Sequence, residues 1–435
     1  MRWLYTRITS ALALVSLPVL LLSFGERRTR LLERWGRHGN AFKQSLGPKA
    51  GRRFWIHAVS VGEVDVALHL IEALHQEDSE TEFVLTTVTH EGRQLAERCT
   101  RQNVHISYAP LDFPGAVRRS FRTFDPDLLL LVEIEIWPHQ LWEARRRGVP
   151  VAVVNGRLPA GDLKKYRRVS WFMRDIFGLL SLVCVQTSED AEAYREMGVA
   201  PDRIQITGSL KMDAALEKAA RHPEAGFPWD VIAPRTVVVG ASTHAGEEEI
   251  LFEIAARVNP EIAGLLWIVA PRHLSRVDQV MSDARKKGLP ASKWSQLLTQ
   301  GYVPEEDSVL VIDTIGDLAR LFALARVIFV GKSLTAKGGQ NPMEPAAAGR
   351  PVLFGPFMEN FETVARWLLE SRAAIQIANA VELETAILGL LQNPGAADAL
   401  GRSAREVVSA RSGATTRTLN FLRGLPPSRG NNALC

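Results

Sequence analysis

The feature that most constrains this chain is a rhythm. From residue 51 short β-branched runs alternate with amphipathic helical stretches, the alternation stops, and then it resumes. The first series predicts strands at Arg53–Val59, Glu82–Thr89, Val104–Ala109, Asp127–Ile136, Val151–Asn155, Leu182–Gln186 and Ile204–Thr207. Helices such as Glu63–His75 and Glu91–Cys99 lie between them, the first with Val66, Leu70, Ile71 and Leu74 on one face. Runs with so little polar alternation suit strands covered on both faces, and therefore a parallel sheet with crossover helices.

The stretch RHPEAGFPWDVIAP, with three prolines and a glycine, interrupts the pattern and reads as a linker. Strands resume near Thr236–Ala241, Leu265–Ala270, Val309–Asp313, Val327–Val330, Val352–Phe354 and Ala374–Ile377, and Val381 to Leu422 reads as helix. The expected division is 1–50, 51–210, a linker at 211–234, 235–395 and a helical tail at 396–435. Two doubly wound α/β domains of this kind offer ligands the carboxyl ends of their strands, in a cleft.

At 435 residues, 46% hydrophobic and 23% charged, the chain is neither disordered nor fibrous. Three cysteines without a CxxC pair argue against a disulfide framework or a structural zinc site, and favour a reducing compartment. The net charge of +4 is unevenly placed: residues 26–53 carry nine Arg or Lys against Glu26 and Glu33, while 54–435 are net acidic. Nucleic acid would need basic residues spread along a folded face, so that partner is excluded.

Ile8 to Phe24 is an uncharged apolar run containing Pro18, followed by GERRTRLLERWGR. No small-residue cleavage site follows it, and arginines are retained on the cytoplasmic side of a membrane. The expectation is an anchor helix, spanning the bilayer or lying in its interface, with a basic collar against anionic lipid and the body in the cytoplasm.

Several motifs carry chemistry. No GxGxxG follows a strand, and Gly331-Lys332-Ser333 lacks the first glycine of a phosphate loop because Arg326 stands there. Asp125-Pro126-Asp127 reads as a turn, and no metal is expected. Ser60-Val61-Gly62-Glu63 fits a capping box, the simpler reading of that motif alone, or a general base at a strand end. Glu133 and Glu135 close the run LLLLVEIEIW; on a strand they would share one face, and paired acids ending a buried strand favour function. Ser242 and Thr243 join a strand to a helix whose first turn holds three glutamates, so phosphate binding and simple capping both remain open. Pro271 and Arg272 close the next strand with a bidentate anion donor. Gly338 and Gly339 free a loop to approach a ligand, and Asn341 and Glu344, three apart, can address one nucleotide.

Taken in order, HAVSVGEV, YAPLDFP, PDLLLLVEIEIWP, NGRL, TGSLKMD, ASTHAGEEE, APRH and GGQNPMEPAAAGRPVLFGP resemble the 3-deoxy-D-manno-oct-2-ulosonic acid (Kdo) transferases of lipopolysaccharide synthesis, from the front of the chain through about residue 370. The resemblance implies a GT-B fold with no metal requirement, a CMP-Kdo donor and a lipid A precursor (lipid IVA) as acceptor. It implies that Glu63 is the base of an inverting transfer at the inner membrane, and that Glu133 and Glu135 line the acceptor side. It places the nucleotide with Ser242, Thr243, Arg272, Asn341 and Glu344. Lys332 and Gln340 depart from the family's usual glycine and histidine, and His90-Glu91-Gly92 departs from its usual Thr-Gly. The competing readings are another GT-B enzyme using a UDP-sugar, a sugar-nucleotide epimerase and a non-catalytic membrane scaffold.

Overall fold

In the computed structural model, residues 1–99, 101–220, 227–262, 264–301 and 303–426 are described. The chain divides into one unit formed by Met1–Lys211 with a return segment beginning at Ser412, and a second formed by Met212–Arg411.

The first unit contains β1 (Arg53–His57), β2 (Glu82–Thr87), β3 (Val104–Tyr108), β4 (Leu128–Val132), β5 (Val151–Gly156), β6 (Leu182–Val185) and β7 (Ile204–Ile206). They form one sheet in the order β3-β2-β1-β4-β5-β6-β7, with every pairing parallel. β4 shows why the apolar runs belong inside. Leu129 and Leu131 enter the core on one face and Leu128, Leu130 and Val132 the core on the other. Helices begin where the sequence supplies a cap: Ser60, Thr89 and Thr187 each accept a backbone N–H of the first turn. The helix Pro138–Arg147 ends at Gly148 in the left-handed region.

The second unit repeats this plan with β8 (Thr236–Thr243), β9 (Leu265–Pro271), β10 (Ala291–Lys293), β11 (Ser308–Val311), β12 (Ala325–Val330), β13 (Val352–Phe354) and β14 (Ile375–Gln376). Its order is β10-β11-β9-β8-β12-β13-β14, again entirely parallel. β10, a three-residue edge strand, lacks the apolar run that would announce it. The two doubly wound parallel sheets expected from the rhythm are therefore present.

The unit boundaries differ from the expected division. Residues 211–220 continue the helix Leu210–Ala220 and 221–226 lie outside the described residues. The tail divides: the helix Pro394–Ser409 belongs to the second unit, whereas Ala414–Arg423 packs on the first. There Arg417 donates to the Thr207 carbonyl at 2.8 Å and Thr415 meets His69 at 2.8 Å.

The anchor expectation needs correction. Ile8–Phe24 lies mostly within the helix Arg2–Leu21, and no described helix is long and apolar enough to cross a membrane. Arg2, Arg7 and the polar Tyr5, Thr6 and Thr9 dilute its apolar character, and one side is committed to protein. Tyr5, Thr9 and Ala13, four residues apart, dock on the first unit; Ala13 packs with Phe113 and Ala116. Leu4, Ile8, Leu12 and Val15 form a neighbouring stripe that is exposed. The collar is only partly a surface charge. Arg53 is buried, pairing with Glu82 and capping the carbonyls of Phe124 and Leu46, and Lys49 pairs with Asp127.

Candidate active site

In a doubly wound sheet, ligands favour the place where strand order reverses, because the connections there run to opposite faces and leave a crevice. In the first unit this is the carboxyl edge between β1 and β4. Glu63 follows β1 in the first turn of the helix Val61–Glu77. Its Oε2 accepts from the Val59 N–H at 2.8 Å and its Oε1 from the Ser60 hydroxyl at 2.7 Å. Ser60 caps the helix by accepting from the Glu63 N–H, but the Glu63 carboxylate reaches the Val59 N–H and the Ser60 hydroxyl instead of the Ser60 N–H, so the expected capping box is only half formed. The carboxyl is also buried, 8% exposed, and burial pushes its pKa up to about 7 against the pull of those two hydrogen bonds; the charges of Glu133 and Glu135 add to the rise. A cap and a group poised to take a proton near neutrality coexist in one side chain.

Glu133 and Glu135 reach this spot by a route the strand pattern did not foresee. β4 stops at Val132, and Glu133 takes a left-handed conformation (φ 62°), so strand alternation does not set the pair's facing. The Tyr194 hydroxyl donates to the Glu133 carbonyl at 3.0 Å and holds this turn. The Glu133 carboxylate pairs with Lys211 at 2.6 Å and accepts from Asn155 Nδ2 at 3.3 Å. Glu135 accepts from the Trp137 indole at 2.9 Å; burial raises its pKa and the Glu133 charge raises it further. The three acids therefore share one electrostatic neighbourhood. Lys211 and Asn155 were not singled out as site residues, although they stand in TGSLKMD and NGRL.

In the second unit strand order reverses between β8 and β12. Ser242 has φ 54° and is half-buried. The Thr243 side chain turns inward: its hydroxyl donates to Glu248 at 2.9 Å, which Arg276 also grips at 2.7 and 3.2 Å. Glu247, fully buried, accepts from the backbone N–H groups of His244, Lys332, Ser333 and Leu334 at 2.8–3.0 Å. Of the three glutamates in the first turn of the helix after β8, two are consumed internally and only Glu249 is exposed. The Gly331 position admits no Cβ, which would meet Thr243 Cα at 2.6 Å.

Around this staple stand cations. Arg272 is exposed with no ion pair among the described residues; Lys332, equally unpaired, lies close enough to His244 to lower its pKa, behind the larger effect of burial. His244 and His273 stack with centroids 5.6 Å apart. Pro271 ends β9 in the core. Gly338 (φ 116°) and Gly339 (φ 70°) are required: a Cβ would strike Asn360 Nδ2 at 2.8 Å or Met358 Sδ at 2.7 Å. Asn341 spends its side-chain oxygen on the Met343 N–H at 2.9 Å, and Glu344 pairs with Lys218 at 3.2 Å.

The sequence model of the family described as 3-Deoxy-D-manno-octulosonic-acid transferase (kdotransferase) matches residues 29–214. A 3-deoxy-D-manno-octulosonic acid transferase from Bordetella pertussis is 33% identical over 97% of this chain and 98% of its own length. The chain belongs to this family. It is a Kdo transferase, a glycosyltransferase. Among solved structures, the C-terminal CMP-Kdo binding domain of WaaA from Acinetobacter baumannii is 30% identical, covering 45% of this chain and 98% of that one, with a TM-score of 0.39. UDP-GlcNAc 2-epimerase from Neisseria meningitidis superposes with a TM-score of 0.60 at 12% identity, covering 86% of this chain and all of that one, and this likeness concerns the two-sheet, GT-B-like fold alone.

Proposed function

We propose that this Kdo transferase moves Kdo from CMP-Kdo to a lipid A precursor, lipid IVA, with inversion at the anomeric carbon. Glu63 takes the proton of the acceptor hydroxyl as that oxygen attacks, and CMP departs with the bonding electrons. The observation that carries this reading is the Glu63 carboxyl itself: buried at the reversal of strand order, with its pKa pushed up to about 7, it accepts a proton where a carboxylate of ordinary pKa would be a weaker base. Glu133 and Glu135 line the acceptor side, and their charges add to the rise that burial causes.

The departing phosphate gathers negative charge. In the second unit Arg272 and Lys332 have no carboxylate partner among the described residues, which leaves both cations for an anionic donor and asks for no metal. Ser242, Asn341 and Glu344 remain the nucleotide's other contacts in this reading, whereas the Thr243 hydroxyl is already spent on Glu248. The exposed stripe Leu4, Ile8, Leu12 and Val15, with the exposed Arg27, Arg28 and Arg37, suits peripheral contact with an anionic lipid surface on the cytoplasmic face of the inner membrane.

Mass analysis of products from purified protein, CMP-Kdo and a tetraacylated lipid A precursor tests the assignment. A product heavier than the acceptor by one or more Kdo residues is expected. Transfer only from a UDP-sugar, or only to an acceptor without lipid, would overturn it.

A further inference from the structure

The helix Pro138–Arg147 begins without a cap of its own. Its N-cap position is Trp137, which offers no side-chain acceptor. The missing acceptor comes from another loop: Asp112 Oδ1 accepts from the His139 N–H at 3.1 Å, and the same carboxyl reaches the Gln140 N–H. Asp112 has no cation paired with it among the described residues. Its remaining donor is the hydroxyl of Tyr5, at 2.8 Å to Oδ2.

Tyr5 belongs to the N-terminal helix, which is seated along the helix Pro138–Arg147. The Tyr5 ring lies 5.2 Å from that of His139, 5.8 Å from Trp142 and 5.6 Å from Phe172. One turn later Thr9 meets His139 Nε2 at 3.0 Å. Its hydroxyl proton goes to the Tyr5 carbonyl at 2.9 Å, so the imidazole donates to Thr9. The residues immediately before the borrowed cap are the acid turn Glu133 to Trp137, which has no regular structure of its own between β4 and the helix.

We propose that Tyr5 is a positioning residue of the transfer reaction: through Asp112 it fixes the first turn of the helix Pro138–Arg147, and with it the turn that presents Glu133 and Glu135 beside Glu63. The N-terminal helix is then part of the acceptor site's scaffold as well as a lipid-facing element. This rests on the reading that those two acids face the acceptor.

The test is Tyr5→Phe, which keeps the three ring contacts and removes only the hydroxyl. Loss of a hydrogen bond to a charged acceptor should raise the KM for the lipid acceptor about tenfold. The KM for CMP-Kdo should stay within about twofold, a split that general destabilisation would not produce. Deuterium exchange over residues 133–142 should quicken. In an Asp112→Ala background, Tyr5→Phe should add nothing further, because the two act through one contact. Unchanged exchange over 133–142, equal effects on both substrates, or full additivity with Asp112→Ala overturns the proposal. A wild-type protein that transfers nothing to the lipid would instead sink the functional reading, while exchange would still decide whether Tyr5 holds the turn.

Discussion

Glu63 and Glu247 occupy equivalent places in the two sheets: each stands in the first turn of the helix that follows the strand at which the order reverses. They have opposite fates. Glu247 accepts four backbone N–H groups and ties the β8 loop to the β12 loop. Glu63 accepts from one backbone N–H and one hydroxyl, and faces two further acids instead of donors. The same residue at the same topological point is a structural staple where donors converge on it and a candidate base where acids do. What separates them is the surrounding loop chemistry, not the glutamate.

The comparison can be broken most forcefully at Glu247. Replacing it by Ala takes the acceptor from four backbone N–H groups, one in a buried and three in partly buried hydrogen bonds, a loss on the order of 4 kcal/mol that should appear as a lowered melting temperature. Retained stability would show that the staple carries nothing. Next comes Glu63→Gln, for which turnover should fall by about a hundredfold or more while folding is kept. The sign of its stability effect follows from the raised pKa: the ionised carboxylate is disfavoured in the fold, so wild-type stability is full at low pH and declines as pH rises through about 7. The non-ionising glutamine escapes that decline, and the melting-temperature gap between variant and wild type should move in the variant's favour from about pH 4.5 to about 7 and level off above it.

The pH profile is the third test. Below pH 7, kcat/KM should rise by about tenfold per unit and then level as Glu63 ionises; the limb should be missing from Glu63→Gln. Removing the cation at Lys211 by Lys211→Met leaves the Glu133 charge uncompensated and should shift that limb a few tenths of a unit upward. The smallest effect concerns Lys332, whose φ of 55° lies where glycine is at ease. Lys332→Gly should gain about 1 kcal/mol of stability, and a raised KM for CMP-Kdo would separate the cation's role from its backbone cost.

The acid turn shows why part of the site was not legible in sequence. Leu128 to Val132 reads as a strand because five apolar residues demand burial, but the position where it ends depends on Val154, Asn155 and Tyr194, which come from distant parts of the chain. The pairing of Glu133 with Lys211 spans 78 residues, and no local pattern encodes it. Gly338 and Gly339 were legible as a loop, yet the reason only glycine fits comes from Met358 and Asn360. The N-terminal helix was read as apolar because hydropathy averages its faces; docking through Tyr5, Thr9 and Ala13 was hidden in a spacing of four.

The sequence alone determined the two parallel sheets, since apolar runs with helices between them have few other ways to bury themselves, and it determined the family through ordered motifs. It also placed Glu63 at a strand end, where the Ser60 cap on its N–H is a local, four-residue matter. Only the tertiary structure decided which carboxylates are satisfied and which are left repelling one another. That outcome depends on donors brought in by other loops, and burial magnifies each donor gained or missed because water no longer screens it or stands in for it.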